Sequence, residues 1–143
     1  MPKPTLKNRI AARIAMMTED VIMRSDFSDL AGYRQVGDAL TSLVRDRHLL
    51  KYGHGLYVRC QVSPFDGKPA PVVGVKRLTI EALRRLGVET TATTMERNYN
   101  RGQSTQVPTG RVVGVRKRVR RQLGYGNVRI SLEYVPKKEG GDL

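Results

Sequence analysis

The chain has 143 residues, of which 26 are Lys or Arg and 13 are Asp or Glu, so its formal net charge is +13. An excess of cations this large predicts a polyanionic partner, because each phosphate that is neutralised releases counterions. No apolar stretch approaches the length of a membrane span and the polar start does not resemble a signal peptide, so we expect a cytoplasmic protein with no membrane partner.

The first predicted elements are a helix, a brief strand and a short helix. Apolar residues recur at helical spacing over 5–17, and Thr5 is a suitable N-cap. The apolar run Val21–Met23 is too short for a helix and predicts a strand. Ser25 followed by acidic residues indicates a short helix over 26–30.

A longer helix is predicted from about Tyr33 to Asp46. Val36, Leu40 and Leu43 form one apolar stripe on it. The remaining positions are mostly polar, which is typical of a helix with one face in the core and the other in solvent.

A β-hairpin is predicted next, with strands over 48–52 and 56–59 and a glycine turn at Gly53–Gly55. The segment 63–71 follows and contains three prolines. Prolines at this density predict either a linker or an extended segment.

The second half predicts a small basic α+β domain. Its helix covers 75–86 and ends at Gly87, and 88–110 is rich in Thr, Asn and Gly and is expected to be irregular. Strands over 111–115 and 128–134 are expected to form a β-hairpin with a basic loop between them. We expect the tail, 137–143, to be disordered.

These elements predict an α+β fold with two domains. The first, 1–62, has the element order of a winged helix-turn-helix, and the second, 72–136, is the basic domain. A helix of this kind fits the major groove of DNA, and the turn between two strands reaches the adjacent backbone or minor groove.

The candidate base-reading residues lie on the polar side of the long helix. Arg pairs bidentately with guanine and Gln with adenine, whereas Asp accepts a hydrogen bond from cytosine or forms an ion pair with an Arg four residues away. The candidates are Arg34, Gln35, Asp38, Thr41 and Ser42.

Two further groups of residues are candidates for the DNA backbone. Arg45 and Lys51 suit phosphates, and His54 lies at the tip of the predicted wing. The second half carries a dense basic run and two flanking arginines, which predict sequence-independent contacts with phosphates. This basic patch consists of Arg111, Arg116, Lys117, Arg118, Arg120, Arg121 and Arg129.

The sequence gives no indication of an enzyme, a metal site or a cofactor. Cys60 is the one cysteine and, with His48 and His54, does not complete a standard zinc site. A phosphate-binding Gly-Lys loop, an HExxH motif and a recognisable pair of catalytic carboxylates are all missing from the sequence.

The stretch Val36–Tyr57 resembles the N-terminal domain of AbiEi-type antitoxins. It has their helix ending in L-x-x-L-V at Leu40–Val44, then a short basic turn and a strand leading into G-x-G-x-Y at Gly53–Tyr57. Gln103–Pro108, which reads QSTQVP, is similar to the segment LSTQVP of small AbiEi-like proteins, with Gln103 in place of Leu.

This resemblance implies a transcriptional repressor or autoregulator from a bacterial toxin–antitoxin, phage-defence or mobile-element locus. Such antitoxins bind inverted repeats at their own promoter, and their companion toxin is a nucleotidyltransferase. We therefore expect double-stranded DNA as the partner, a homodimer matching a two-fold operator, and possible binding of a cognate toxin.

Two alternatives belong to other functional classes. In the first, the winged helix is a protein-interaction module that neutralises a toxin and the basic patch is incidental. In the second, the chain is an RNA-binding accessory protein, although aromatic residues make up only 6% of the sequence, which disfavours a base-stacking platform.

Overall fold

The computed structural model describes residues 4–103, 105, 108 and 110–137. The chain divides into two compact units, Met1–Gly74 and Val75–Leu143. The described residues form four α-helices and two small β-sheets, so the predicted α+β class is confirmed. The predicted tail lies outside the described residues beyond Lys137.

The helices are α1 (Leu6–Met16), α2 (Tyr33–Arg45), α3 (Val75–Arg85) and α4 (Thr94–Asn100), and a 3₁₀ helix covers Arg24–Phe27. The strands are β1 (Val21–Met23), β2 (Leu49–Gly53), β3 (Leu56–Val62), β4 (Pro69–Pro71), β5 (Thr90–Thr91), β6 (Val112–Val115), β7 (Leu123–Tyr125) and β8 (Val128–Tyr134).

The two long helices of the first unit begin with different caps. At α1 the side-chain oxygen of Thr5 accepts a hydrogen bond from the Asn8 N–H at 3.1 Å, which confirms the predicted N-cap. At α2 the Gln35 side chain reaches back, and its Oε1 accepts from the Gly32 N–H at 2.9 Å. Each cap satisfies a backbone donor that the first helical turn leaves without a partner.

The end of α1 is capped by a side chain from the sheet. The Arg59 guanidinium donates to the carbonyl oxygens of Ile14 and Met17, both at 2.7 Å, and to that of Glu19 at 3.0 Å. Ile14 and the C-cap residue Met17 lie at the C-terminal end of α1, where the carbonyl oxygens carry the negative end of the helix dipole, and Glu19 lies in the link to β1. Arg59 is therefore a structural residue that fixes α1 against β3.

One hydrophobic core holds the elements of the first unit together. Ile10 of α1, Phe27 of the 3₁₀ helix, Leu40 of α2 and Leu49 of β2 are all buried in it. The predicted stripe of α2 is confirmed, because Val36 is buried beside them. Each such side chain contributes about 1.5–3 kcal/mol relative to remaining in water.

The first sheet is antiparallel, with the order β1–β3–β2 and β4 added along the far end of β3. The predicted β2–β3 hairpin is confirmed, with Leu49 opposite Arg59 and Lys51 opposite Tyr57. A register shift between Lys51 and Gly53 leads into its turn.

The proline-rich segment takes the extended alternative and belongs to the first unit. Val62 of β3 pairs with Pro69 of β4, and Cys60 pairs with Pro71. Residues 63–68 form the turn of this second hairpin, so the first compact unit runs to Gly74.

The second unit is a four-stranded sheet, with order β5–β6–β8–β7, and α3 contacts all four strands. Leu78 and Leu83 of α3 are buried, as are Val113 of β6 and Leu123 of β7. The helix stops where predicted, at Gly87, whose φ of 78° is readily adopted only by glycine.

The predicted hairpin between 111–115 and 128–134 is wrong in its pairing. Strands β6 and β8 are parallel neighbours, with Val113 opposite Leu132. The hairpin is formed by β7 and β8 instead, with Leu123 opposite Ile130. Strand β7 lies within the predicted basic loop and has only three residues, which are too few to show a period in the sequence.

The prediction of an irregular stretch over 88–110 is also wrong in part, because it contains β5 and α4. Helix α4 begins with a capping box: Thr93 accepts from the Glu96 N–H at 3.1 Å, and Glu96 accepts from the Thr93 N–H at 3.0 Å. The pattern T-x-x-E at these positions is a known sequence signal for a helix start.

Candidate nucleic-acid interface

The exposed face of α2 carries one stripe of polar side chains. Arg34, Asp38, Thr41 and Arg45 are all exposed, and their spacing of four, three and four residues places them along one line of a helix. From the first to the last, the stripe is about 16 Å long at 1.5 Å per residue. It lies opposite the apolar stripe that packs in the core.

Two of the predicted base-reading residues lie beside this stripe rather than on it. Ser42 is half-buried. Gln35 is exposed, but its side-chain oxygen is taken by the Gly32 N–H. Bidentate pairing of Gln35 with adenine would use an oxygen that already caps the helix, so the stripe itself is the better candidate surface.

Within the described residues, Arg34 and Asp38 form no ion pair. From its sequence position, Asp38 is expected either to pair with Arg34 or to accept a hydrogen bond from cytosine. In the structure the Asp38 carboxylate is exposed on the stripe, which leaves the second role available.

An arginine of the 3₁₀ helix, which the sequence pattern does not single out, places its guanidinium against the start of α2. The Arg24 Nε donates to the Tyr33 carbonyl oxygen at 2.8 Å, and the guanidinium carbon lies 3.4 Å from the centroid of the Tyr33 ring. The Tyr33 side chain is 64% exposed, so this stacked pair lies at the surface.

The position of Arg24 depends on Gly37. A Cβ atom on Gly37 would lie 2.3 Å from the Arg24 guanidinium carbon, so the guanidinium occupies the space that a side chain would fill. Nothing in the local pattern around Arg24 predicts this, because its neighbours Tyr33 and Gly37 are distant in sequence and meet it only through the fold.

The β2–β3 hairpin lies beside the start of α2. The Arg24 N–H donates to the Gly55 carbonyl oxygen at 3.0 Å, which ties the turn to the 3₁₀ helix. His54 is exposed in this turn and Lys51 is exposed on β2. The turn needs Gly55, whose φ is 69°.

In the second unit, the basic run forms the connection from β6 to β7, over residues 116–122, without helix or strand. Because β6 and β7 lie on opposite sides of β8, this basic connection has to cross β8. Arg118 lies over the ring of Tyr134, at 4.8 Å from its centroid, and so anchors the crossing at the end of β8.

The predicted basic patch divides into structural and exposed members. Arg116 is half-buried and donates to the carbonyl oxygens of Val135 and Pro136 at 3.3 and 3.4 Å. Arg129 is exposed and donates to the Gly126 carbonyl oxygen at 2.8 Å, across its own turn. The exposed remainder comprises Arg111, Lys117, Arg118, Arg120 and Arg121.

Three arginines of the basic patch line one cleft of about 320 Å³. Arg120 and Arg121 of the basic connection line it with Arg129 of β8, and Leu123 and Ile130 are among its apolar neighbours. Arg111, on the approach to β6, does not line this cleft.

The structure gives no metal centre in its described part, where no three His, Cys, Asp or Glu side chains come together. Partial burial raises the pKa of the Cys60 thiol above its ordinary value, which keeps the thiol protonated at neutral pH. None of the described helices is long and apolar enough to cross a membrane.

Comparisons with protein-family models, with curated proteins and with solved structures found no match for this chain. The resemblance to AbiEi-type antitoxins therefore stays a prediction from the residues of the sequence. Part of its second motif, including Ser104, Gln106 and Val107, lies outside the described residues.

Proposed function

We propose that this protein binds double-stranded DNA in a sequence-specific way and acts as a transcriptional repressor or autoregulator of the antitoxin type. The observation that carries the proposal is the exposed stripe of α2, where Arg34, Asp38, Thr41 and Arg45 lie on one line. A stripe of about 16 Å on a helix is suited to a major groove about 12 Å wide and 8.5 Å deep.

The architecture of the first unit supports a winged helix-turn-helix. The order is α1, β1, a 3₁₀ helix, α2, then the β2–β3 hairpin, and β3 is central in the three-strand order β1–β3–β2. In this interpretation α2 is the recognition helix and the turn at His54 is the wing. The 3₁₀ helix occupies the place of the short first helix of the motif.

The charges on the stripe fit contacts with base edges. Arg34 is a candidate for bidentate pairing with guanine and Asp38 for accepting from the amino group of cytosine. Arg24 and Arg45, near the two ends of α2, are candidates for flanking phosphates. In the second unit, the basic connection supplies further phosphate contacts.

The test is a binding selection on randomised duplex DNA, followed by fluorescence anisotropy on the selected site. We expect Arg34→Ala to relax the sequence preference more than it weakens overall binding. The double variant Arg118→Ala with Arg120→Ala should weaken binding on all sequences and leave the preference intact.

Two results would overturn the proposal. One is the absence of duplex binding at low salt, with or without preference for single-stranded DNA or RNA of the same length. The other is an equal loss on every sequence from both sets of substitutions, which would contradict the division between base contacts and phosphate contacts.

A further inference from the structure

The hairpin of β3 and β4 ends in an apolar tip that the chain leaves uncovered. Phe65, in the turn at residues 63–68, is 97% exposed, and Val62 at the end of β3 is 50% exposed. Burial of a phenylalanine stabilises by about 1.5–3 kcal/mol, and here that contribution is not realised within the chain. An apolar side chain as large and as exposed as Phe65 has this contribution available for a contact with another molecule.

This tip lies away from the surface proposed to contact DNA. The wing turn precedes the first residue of β3, and the tip follows its last residue, Val62. The seven residues between them span about 20 Å at 3.3 Å per residue. Arg24 links the start of α2 to the wing end of β3, because its N–H donates to the Gly55 carbonyl oxygen and its Nε donates to the Tyr33 carbonyl oxygen.

The charge around the tip favours a second copy of the chain over an anionic partner. Residues 60–74 contain one acid, Asp66, and one base, Lys68, so this stretch is neutral in a chain of net charge +13. Both side chains are exposed, on either side of Gly67. The Asp66 Oδ1 accepts from the Lys68 N–H at 3.0 Å, and in a two-fold contact at the turn the other carboxylate oxygen is available to the Lys68 ammonium of the second copy.

The edge of β4 disfavours the simplest alternative, in which a partner strand extends the sheet. Pro69 and Pro71 lack an N–H, so Ala70 is the one residue of β4 that has a backbone donor. We therefore assign the contact to side chains rather than to a β-ladder.

We infer that the tip of the β3–β4 hairpin is a self-association surface, on which Phe65 and Val62 of one copy pack against the same residues of a second copy. An isologous contact of this kind has two-fold symmetry. The observations behind this inference all come from the hairpin and do not require the proposed DNA binding. A two-fold dimer would also have the symmetry that an inverted-repeat operator requires.

The first experiment is sedimentation velocity of the full chain over a concentration series, without nucleic acid. We expect a monomer–dimer equilibrium whose Kd rises about tenfold or more in Phe65→Ser. The matched control is Met16→Ser, because Met16 is 87% exposed on α1 and remote from the hairpin in sequence. A monomer at every concentration, or equal weakening by both substitutions, would overturn the inference.

The second experiment tests the reciprocal charge pair. The variants Asp66→Lys and Lys68→Asp each place like charges at the two-fold contact, so each alone should dimerise more weakly than the unmodified chain. An equimolar mixture of the two should recover dimers, now as heterodimers. A mixture that is no better than either variant alone would contradict a symmetric contact at this turn.

Circular dichroism melting checks that every variant is folded before its association is interpreted. The sedimentation experiments contain no DNA. If they show no self-association, the proposed recognition of duplex DNA is therefore not affected. Conversely, a Phe65→Ser variant that still binds a single half-site while losing the dimer separates the two functions.

Discussion

Arg59 illustrates how one side chain can serve as a structural cap rather than a nucleic-acid contact. Its guanidinium donates to three carbonyl oxygens at the end of α1. We expect Arg59→Lys to lower the free energy of unfolding by about 1.5–3 kcal/mol, because an ammonium cannot reproduce the fork that serves all three oxygens. Urea unfolding followed by circular dichroism measures this. The control is Arg45→Ala, an exposed cation whose loss should leave stability within about 0.5 kcal/mol.

A second prediction at this scale concerns pH. The Arg13 guanidinium makes two hydrogen bonds to Asp29, at 2.6 and 2.8 Å, and holds the pKa of that carboxyl below its ordinary value. The pair therefore stabilises the folded state above the unfolded pKa, at roughly pH 4, and this contribution is lost as the pH falls through the lowered folded pKa.

The measurement is the melting temperature against pH for the unmodified chain and for Asp29→Asn. We expect the difference between the two to shrink as the pH falls below about 4, because protonation of Asp29 makes the unmodified chain resemble the variant. A difference that is constant over that range would show that the pair does not contribute through its charge.

Among the elements, α2 has in its first turns a glycine that makes room for the Arg24 guanidinium. The Arg24 guanidinium fills the space beside Gly37, so Gly37→Ala should displace it from the Tyr33 carbonyl oxygen. Because alanine favours a helix by roughly 0.5–1 kcal/mol over glycine and the displaced group is the end of a flexible side chain, we expect stability to be kept. Because Arg24 is a candidate for a flanking phosphate, we expect the affinity for duplex DNA to fall.

Anisotropy titration and thermal melting of Gly37→Ala separate these two effects. The matched control is Gly74→Ala, since a Cβ on Gly74 meets nothing within 4 Å. Unchanged affinity in Gly37→Ala would remove Arg24 from the proposed interface, whereas a large loss of stability would mean that the guanidinium cannot move aside.

The elements also differ in how far the sequence predicts them. Helices α1 and α2 follow from their periods, because each buries one long stripe of residues such as Ile10 and Leu40. Strand β8 alternates over seven residues and was predicted with its observed bounds. Strands β5 and β7 have two and three residues, which is too short for any period to appear.

Pairing was predictable only where the connection was short. The glycine turn between β2 and β3 allows an antiparallel neighbour and little else. Between β6 and β8 the chain makes the basic connection and an additional strand, and the parallel pairing depends on where those segments pack. Similarly, the exposed stripe of α2 followed from helical spacing, whereas the positions of Arg24 and Arg116 required the tertiary fold.

For the whole molecule, the distribution of charge suggests how the two units share binding. Residues 1–74 carry 11 Lys or Arg and 7 Asp or Glu, a net charge of +4, whereas residues 75–143 carry 15 and 6, a net charge of +9. The candidate base-reading stripe is thus in the less basic unit. In the proposed function, the first unit supplies sequence preference and the second supplies affinity that depends strongly on salt.

The basic connection allows this division to be tested within a few residues. Lys117 and Arg120 are exposed, whereas Arg116 is half-buried and holds the carbonyl oxygens of Val135 and Pro136. We expect Lys117→Ala with Arg120→Ala to reduce the slope of log K against log salt by up to about 1.8, since each phosphate contact contributes about 0.9. We expect Arg116→Ala to lower the melting temperature and change the slope little.

Duplex titrations at four or more salt concentrations give the slopes, and thermal melting gives the stabilities. The comparison is informative because the three cations are neighbours in sequence and equal in formal charge. If the basic connection were only a solubilising loop, neither set of substitutions would alter the slope. If net charge alone governed affinity, each substitution would reduce the slope in proportion to the charge removed. Arg116→Ala would then reduce the slope by about half as much as the double variant.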